Sequence, residues 1–162
     1  MKKKLISLLL LLSVIVCSLS GCKKEYTVPN FTVLNQSFKS VELEDFIGKP
    51  IVINFWATWC YYCTLEMPDF DIAYNEYGKD VVFLMVNATD GVSETVAKAS
   101  SYISSNGYDF PIYFDTTGDA ADAYGVTGFP STFFINRKGD LVESKVGMIS
   151  LEALIEGIEL IK

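Results

Sequence analysis

Cys60 and Cys63, separated only by Tyr61-Tyr62, are the residues best suited to chemistry in this chain. They follow Ile51-Val-Ile-Asn-Phe-Trp56, a near-continuous apolar run that predicts a central buried strand. They open Cys63 to Tyr77, which predicts a helix ended by Gly78. A thiolate at a helix N-terminus lies against unpaired N–H groups and the positive end of the helix dipole. Those groups stabilise the anion, lower the pKa of Cys60 and make it the attacking sulfur. Cys63, one turn in, is close enough to displace a mixed disulfide. The placement therefore predicts thiol–disulfide exchange, with Cys60 as nucleophile and Cys63 as resolver. Two other uses of the pair compete. Half of a zinc site would need two more ligands, and the chain has no histidine and no second such pair. A structural disulfide closing so short a loop would constrain the unfolded chain very little.

The elements around the pair suit an α/β sheet protein. Val81 to Val86 predicts a second buried strand, so strand, helix and strand succeed one another as in a parallel crossover. Ahead of them, Phe31 to Leu34 and Ser40 to Glu42 are short and β-prone, and Leu43 to Ile47 suits a helical turn stopped by Gly48. Beyond them, Ser93 to Ser105 has helical apolar spacing, Phe110 to Phe114 is short and apolar, and Asp119 to Tyr124 suits another helical turn. Thr132 to Ile135 and Leu141 to Val146, joined through Arg137-Lys-Gly-Asp140, predict a β-hairpin. Ser150 fits the N-cap of a closing amphipathic helix whose apolar face is Leu151, Leu154, Ile155, Ile158 and Ile161.

The first residues form a separate piece. Met1-Lys-Lys-Lys4 is a positive start, and Leu5 to Leu19 is almost wholly apolar but shorter than the roughly 20 residues a spanning helix needs. That pattern suits a secretory signal. It ends in Leu19-Ser20-Gly21-Cys22, which resembles the bacterial lipobox, where cleavage precedes the cysteine and the thiol carries lipid. The competing use is an uncleaved signal anchor with Cys22 idle; both place the domain outside the cytoplasm and tied to a membrane. The expected organisation is residues 1–21 as signal peptide, 22–28 as tether and 29–162 as one domain.

Removing residues 1–21 takes away three lysines and no acid, leaving 10 basic against 20 acidic residues. So acidic a surface argues against nucleic acid as a partner. The absence of histidine excludes Ser-His-Asp and Cys-His catalysis and histidine-containing metal sites. No metal and no cofactor are expected.

Asn54-Phe-Trp-Ala-Thr-Trp-Cys60-x-x-Cys63, followed by Glu66 and Pro68, resembles the TlpA/ResA-like family of membrane-anchored thioredoxin-fold proteins. Gly125-Val-Thr-Gly-Phe129-Pro130-Ser-Thr-Phe133 resembles the second landmark of the same family, and the similarity runs from about Pro29 to the C-terminus. The resemblance implies a three-layer thioredoxin fold, here with an N-terminal β-hairpin extension and a central helical insertion. It implies that Pro130 is a cis-proline facing the cysteines and that the Phe129 backbone pairs with an extended substrate. It further implies that Pro68 kinks the active-site helix, that Trp56 and Trp59 flank the site, and that Glu66 tunes cysteine protonation.

A carboxyl three residues after Cys63 shares its helix face, which agrees with that last role. As partners the resemblance implies an exported protein disulfide, apocytochrome c being one candidate, and a membrane thiol-transfer protein as electron donor. A monomer is expected. Tyr61-Tyr62 lacks the proline common before the second cysteine, which leaves the direction of electron flow open. A thiol peroxidase, with Thr58 near the reactive cysteine and Arg137 as the only arginine, and a non-catalytic binding lipoprotein remain as alternatives.

Overall fold

The computed structural model describes residues 27–162. The signal segment, Cys22 and most of the expected tether lie outside the described residues.

Among the described residues seven strands form one mixed sheet: β1 (Thr32–Asn35), β2 (Ser40–Glu42), β3 (Ile51–Trp56), β4 (Val82–Asn87), β5 (Ile112–Phe114), β6 (Ser131–Ile135) and β7 (Leu141–Val146). Their order across the sheet is β2-β1-β5-β4-β3-β6-β7. The helices are α1 (Tyr61–Tyr77), α2 (Val96–Asn106), α3 (Asp119–Ala123) and α4 (Leu151–Ile161), with a short 3-10 turn at Leu43–Phe46. This is the expected thioredoxin sandwich, with β1 and β2 as the added hairpin and α2 as the insertion. The apolar run of β3 is buried throughout because it is central: β4 pairs with it in parallel and β6 antiparallel.

Side chains alternate across the sheet. Val52 and Trp56 of β3 pack on the face covered by α1, α2 and α4, while Ile51, Ile53 and Phe55 pack on the other. Asn54 shares the α1 face and reaches Glu66. The two faces are covered unequally. Three helices cover the first; the second is sealed by Val28, Phe31, Leu43 and the short α3. The middle of α4 comes so close to β6 that a Cβ at Gly157 would overlap the Phe134 ring.

Thr27 and Val28, the last residues of the expected tether, make contacts with the folded domain. The Thr27 N–H and hydroxyl both donate to the Gly139 carbonyl, at 3.2 and 3.0 Å, and Val28 is buried. Val28 is apolar and finds a core to enter, which a polar-looking segment did not announce.

Candidate active site

Cys60 is the N-cap of α1, and its Sγ accepts the Cys63 N–H at 3.2 Å. The sulfur thus stands where the first turn of the helix leaves N–H groups free, the setting that favours a thiolate. Cys60 and Cys63 are joined as a disulfide with Cα atoms 5.2 Å apart. Their exposures differ in a way that matters: Cys60 is 7 % exposed and Cys63 is sealed at 0 %. An incoming sulfur can reach only the first.

Around the pair the surface is aromatic. Trp59 is 57 % exposed and meets the Phe129 ring edge-on at 5.7 Å, and Tyr61 and Tyr62 are exposed beside it. The Phe129–Pro130 peptide is cis, as the resemblance implies, and leads directly into β6. Gly147 N–H donates to the Pro130 carbonyl at 2.8 Å, so the loop after β7 fixes this turn. Trp56 is wholly buried, packs on Tyr102 and lies in the same apolar cluster as Cys60 and Cys63. Pro68 lies inside α1 and has no N–H for the Thr64 carbonyl. The Tyr102 hydroxyl donates to that freed carbonyl at 3.5 Å.

Glu66, three residues after Cys63 on α1, is 1 % exposed, and each of its oxygens has one donor. Asn54 Nδ2 donates to Oε1 at 2.8 Å and the Ile149 N–H donates to Oε2 at 3.0 Å. Burial pushes its pKa up to about 7; the two hydrogen bonds pull the other way, and Asp69 nearby adds a smaller upward push. A carboxyl poised there can give or take a proton at neutral pH. Asn54 suits either charge state. Its Nδ2 also donates to Thr132 Oγ1 at 3.1 Å, while its own Oδ1 has no partner among the described residues. Turning the amide over would set that oxygen to accept a proton carried by Glu66 and the Thr132 hydroxyl together.

A second buried carboxylate, Glu94, was not singled out from the sequence. It is fully buried in the loop before α2. Thr58 N–H donates to Oε1 at 3.0 Å, Thr58 Oγ1 donates to Oε2 at 2.6 Å, and Asn87 Nδ2 donates to Oε1 at 2.7 Å. The carboxylate therefore clamps the turn that carries Trp59 and Cys60. Asp90 shapes the loop by accepting the Val92 and Glu94 N–H groups. These contacts bear on the peroxidase alternative. The Thr58 hydroxyl is committed to Glu94, and Arg137 sits in the β6–β7 turn, at the far end of β6 from Pro130.

Residues 25–144 match the AhpC/TSA family. The chain is 33% identical over 135 residues to thiol-disulfide oxidoreductase ResA of Bacillus subtilis, covering 83% of this chain and 73% of that protein. It is 34% identical over 134 residues to ResA of Halalkalibacterium halodurans, covering 82% and 74%.

The chain belongs to the AhpC/TSA family, as a ResA-like thiol–disulfide oxidoreductase.

The crystal structure of the exposed lipoprotein thioredoxin of Streptococcus pneumoniae is similar to this ResA-like chain, with a TM-score of 0.71 and 28% identity over 82% of this chain and 99% of that one. In this ResA-like chain Cys60 caps α1, Cys63 is sealed, the Phe129–Pro130 peptide is cis and Glu66 is buried.

Proposed function

We propose that this oxidoreductase is a lipid-anchored, extracytoplasmic monomer that reduces disulfides in exported proteins. The observation that carries the chemistry is the asymmetry of the pair: Cys60 caps α1 and keeps some exposure, and Cys63, one turn before Glu66 on the same helix, is sealed. In the reduced protein the Cys60 thiolate attacks a substrate disulfide. A bond forms between Cys60 and one substrate sulfur, and the other substrate sulfur leaves as a thiolate and takes up a proton. Cys63 then loses its proton, with Glu66 the buried group placed to take it, and attacks Cys60. The substrate departs fully reduced, and the Cys60–Cys63 disulfide remains. A membrane thiol-transfer protein returns the two electrons.

Phe129 and Trp59 form the wall against which an extended substrate segment lies, its backbone pairing beside cis-Pro130 in the manner of an added strand. A cysteine pair in an extended, unfolded segment, as in apocytochrome c, suits such a groove. The location rests on the Leu19-Ser20-Gly21-Cys22 quartet and is supported by the likeness to an exposed lipoprotein thioredoxin. The test is Cys63→Ser. Incubated with an oxidised exported protein, it should hold the substrate in a mixed disulfide at Cys60, released by dithiothreitol. Cys60→Ser should trap nothing; equal trapping by both variants would refute the assignment.

A further inference from the structure

Both faces of α1 are apolar. Its inner face, with Cys63, Met67, Phe70 and Ala73, is buried in the core. At 3.6 residues per turn, Tyr61, Leu65, Pro68 and Ile72 fall on one line along the opposite face. All four are exposed, Tyr61 at 69 % and Leu65 and Ile72 at about half. A surface helix ordinarily gives that outer face to charged and polar residues. Here the stripe holds no charge over its first three turns. It begins beside the reactive sulfur, since Tyr61 follows Cys60 directly.

The charges stand at the edges of the stripe, and they share one sign. Asp69 and Glu76 lie along one side and Asp71 along the other, and α1 has no lysine or arginine. That pattern discriminates among three occupants. Helices that lie on a bilayer carry lysine or arginine on their polar face, and acidic edges are repelled by anionic headgroups. A second copy would set two acid-edged stripes against each other. A folded partner offering an apolar helix with a neutral or basic rim is complementary in both shape and charge. The spacing i, i+4, i+7, i+11 is itself that of a helix packed on a helix. An extended segment pairs instead through its backbone, as in the groove beside cis-Pro130.

We propose that the outer face of α1 is the docking surface for the electron donor, which lays an apolar helix of its own along Tyr61, Leu65, Pro68 and Ile72. This rests on the reductant reading above, in which a membrane thiol-transfer protein recharges the pair. A membrane-spanning donor is built of helices or a closed barrel, whereas an unfolded substrate offers extended chain. The two partners then share Cys60 and differ in the rest of their footprints. Docking sets a donor thiolate against Cys60 Sγ. That bond forms as the Cys60–Cys63 bond breaks, and Cys63 leaves as a thiolate and takes up a proton. The donor's second thiolate attacks its first sulfur, and Cys60 departs as a thiolate. The donor keeps the disulfide, and the pair has gained two electrons.

The experiment reads the redox state of the pair in cells that make the lipidated full chain, by acid quenching and alkylation with a mass-tagged maleimide. The wild-type pair should be mainly reduced. Ile72→Glu, about three turns from Cys60, should raise the oxidised fraction at least threefold. Ile72→Ser should raise it in the same direction, and it carries the test if circular dichroism shows the glutamate variant unfolded. Leu160→Glu, exposed on α4 outside the stripe, should leave the fraction unchanged. A photoreactive side chain at position 72 should crosslink to a membrane protein that holds a cysteine pair. Crosslinking to a second copy or to lipid overturns the proposal. So does an oxidised fraction that stays unchanged in the Ile72 variants, or one that falls, since a fall marks the stripe as a substrate surface. A wild-type pair already mainly oxidised contradicts the reductant reading instead.

Discussion

The carboxylate of Glu66 accepts the main-chain N–H of Ile149 at 3.0 Å, a contact that spans 83 residues of sequence. Three residues along the same helix, Asp69 accepts the Leu151 N–H at 3.1 Å. Together they join the active-site helix to the entry of α4, and the loop between β7 and α4 in turn holds Pro130 through Gly147. One buried acid is thereby tied, through the entry of α4, to the loop that holds the cis-proline.

That linkage gives stability a predictable pH dependence. The Glu66 pKa is raised from 4.5 to about 7, so the folded protein holds its proton more tightly than the unfolded chain does. The associated stability is fully present below the lower value and is lost as pH rises through the higher one. The size is about 3 kcal/mol between pH 4.5 and 7. Glu66→Gln should flatten this slope in denaturant titrations of the oxidised protein, and an unchanged slope would show that Glu66 is not the titrating group.

The same substitution should slow resolution of the mixed disulfide. Without a group to accept the Cys63 proton, the second step near pH 7 should fall roughly 10- to 100-fold, while attack by Cys60 on a small disulfide changes little. Stopped-flow measurement of the two steps separates these outcomes.

Glu94 acts through the turn it clamps. Glu94→Ala leaves the Thr58 N–H and the Asn87 amide without their buried acceptor, at a cost of about 3 kcal/mol, and Glu94→Gln should cost about 1 kcal/mol. Trp59 fluorescence should shift in the alanine variant. Its exchange with a protein disulfide should slow more than exchange with oxidised glutathione, since only the former depends on the placement of Trp59 against Phe129.

The aromatic wall itself should govern substrate binding. Trp59→Ala or Phe129→Ala removes one half of the edge-on pair. Each should raise KM for a protein disulfide about 10-fold and leave kcat nearly unchanged, as expected for a contact made equally in ground and transition states. A loss confined to kcat would place these rings in the chemistry instead.

How legible all this was in the sequence depends on how local each signal is. Ile51–Trp56 announced a central strand because burial on both faces demands an unbroken apolar run, and Cys60 announced its role because a helix cap is a local feature. Glu66 shared a helix face with Cys63, but its partners Asn54 and Ile149 come from other elements, and no spacing reveals them. Glu94 lay further out of view. Its ligand Thr58 is 36 residues earlier, and the Asp90-Gly91 turn that aims it looks like any loop before a helix. Thr27 and Val28 were placed in the tether because the anchoring contact is to the tip of a hairpin 112 residues away. The Tyr61-Tyr62 insert was visible at once, yet it did not fix the direction of electron flow, because the potential depends on the whole surroundings of the two sulfurs.

That direction is settled by one measurement, the reduction potential of the Cys60–Cys63 pair, obtained by equilibration against dithiothreitol or glutathione buffers at pH 7. A reductant of exported proteins should poise near thioredoxin, at about −270 mV. A value near the strongly oxidising end, about −120 mV, would contradict the account and make this protein a donor of disulfides.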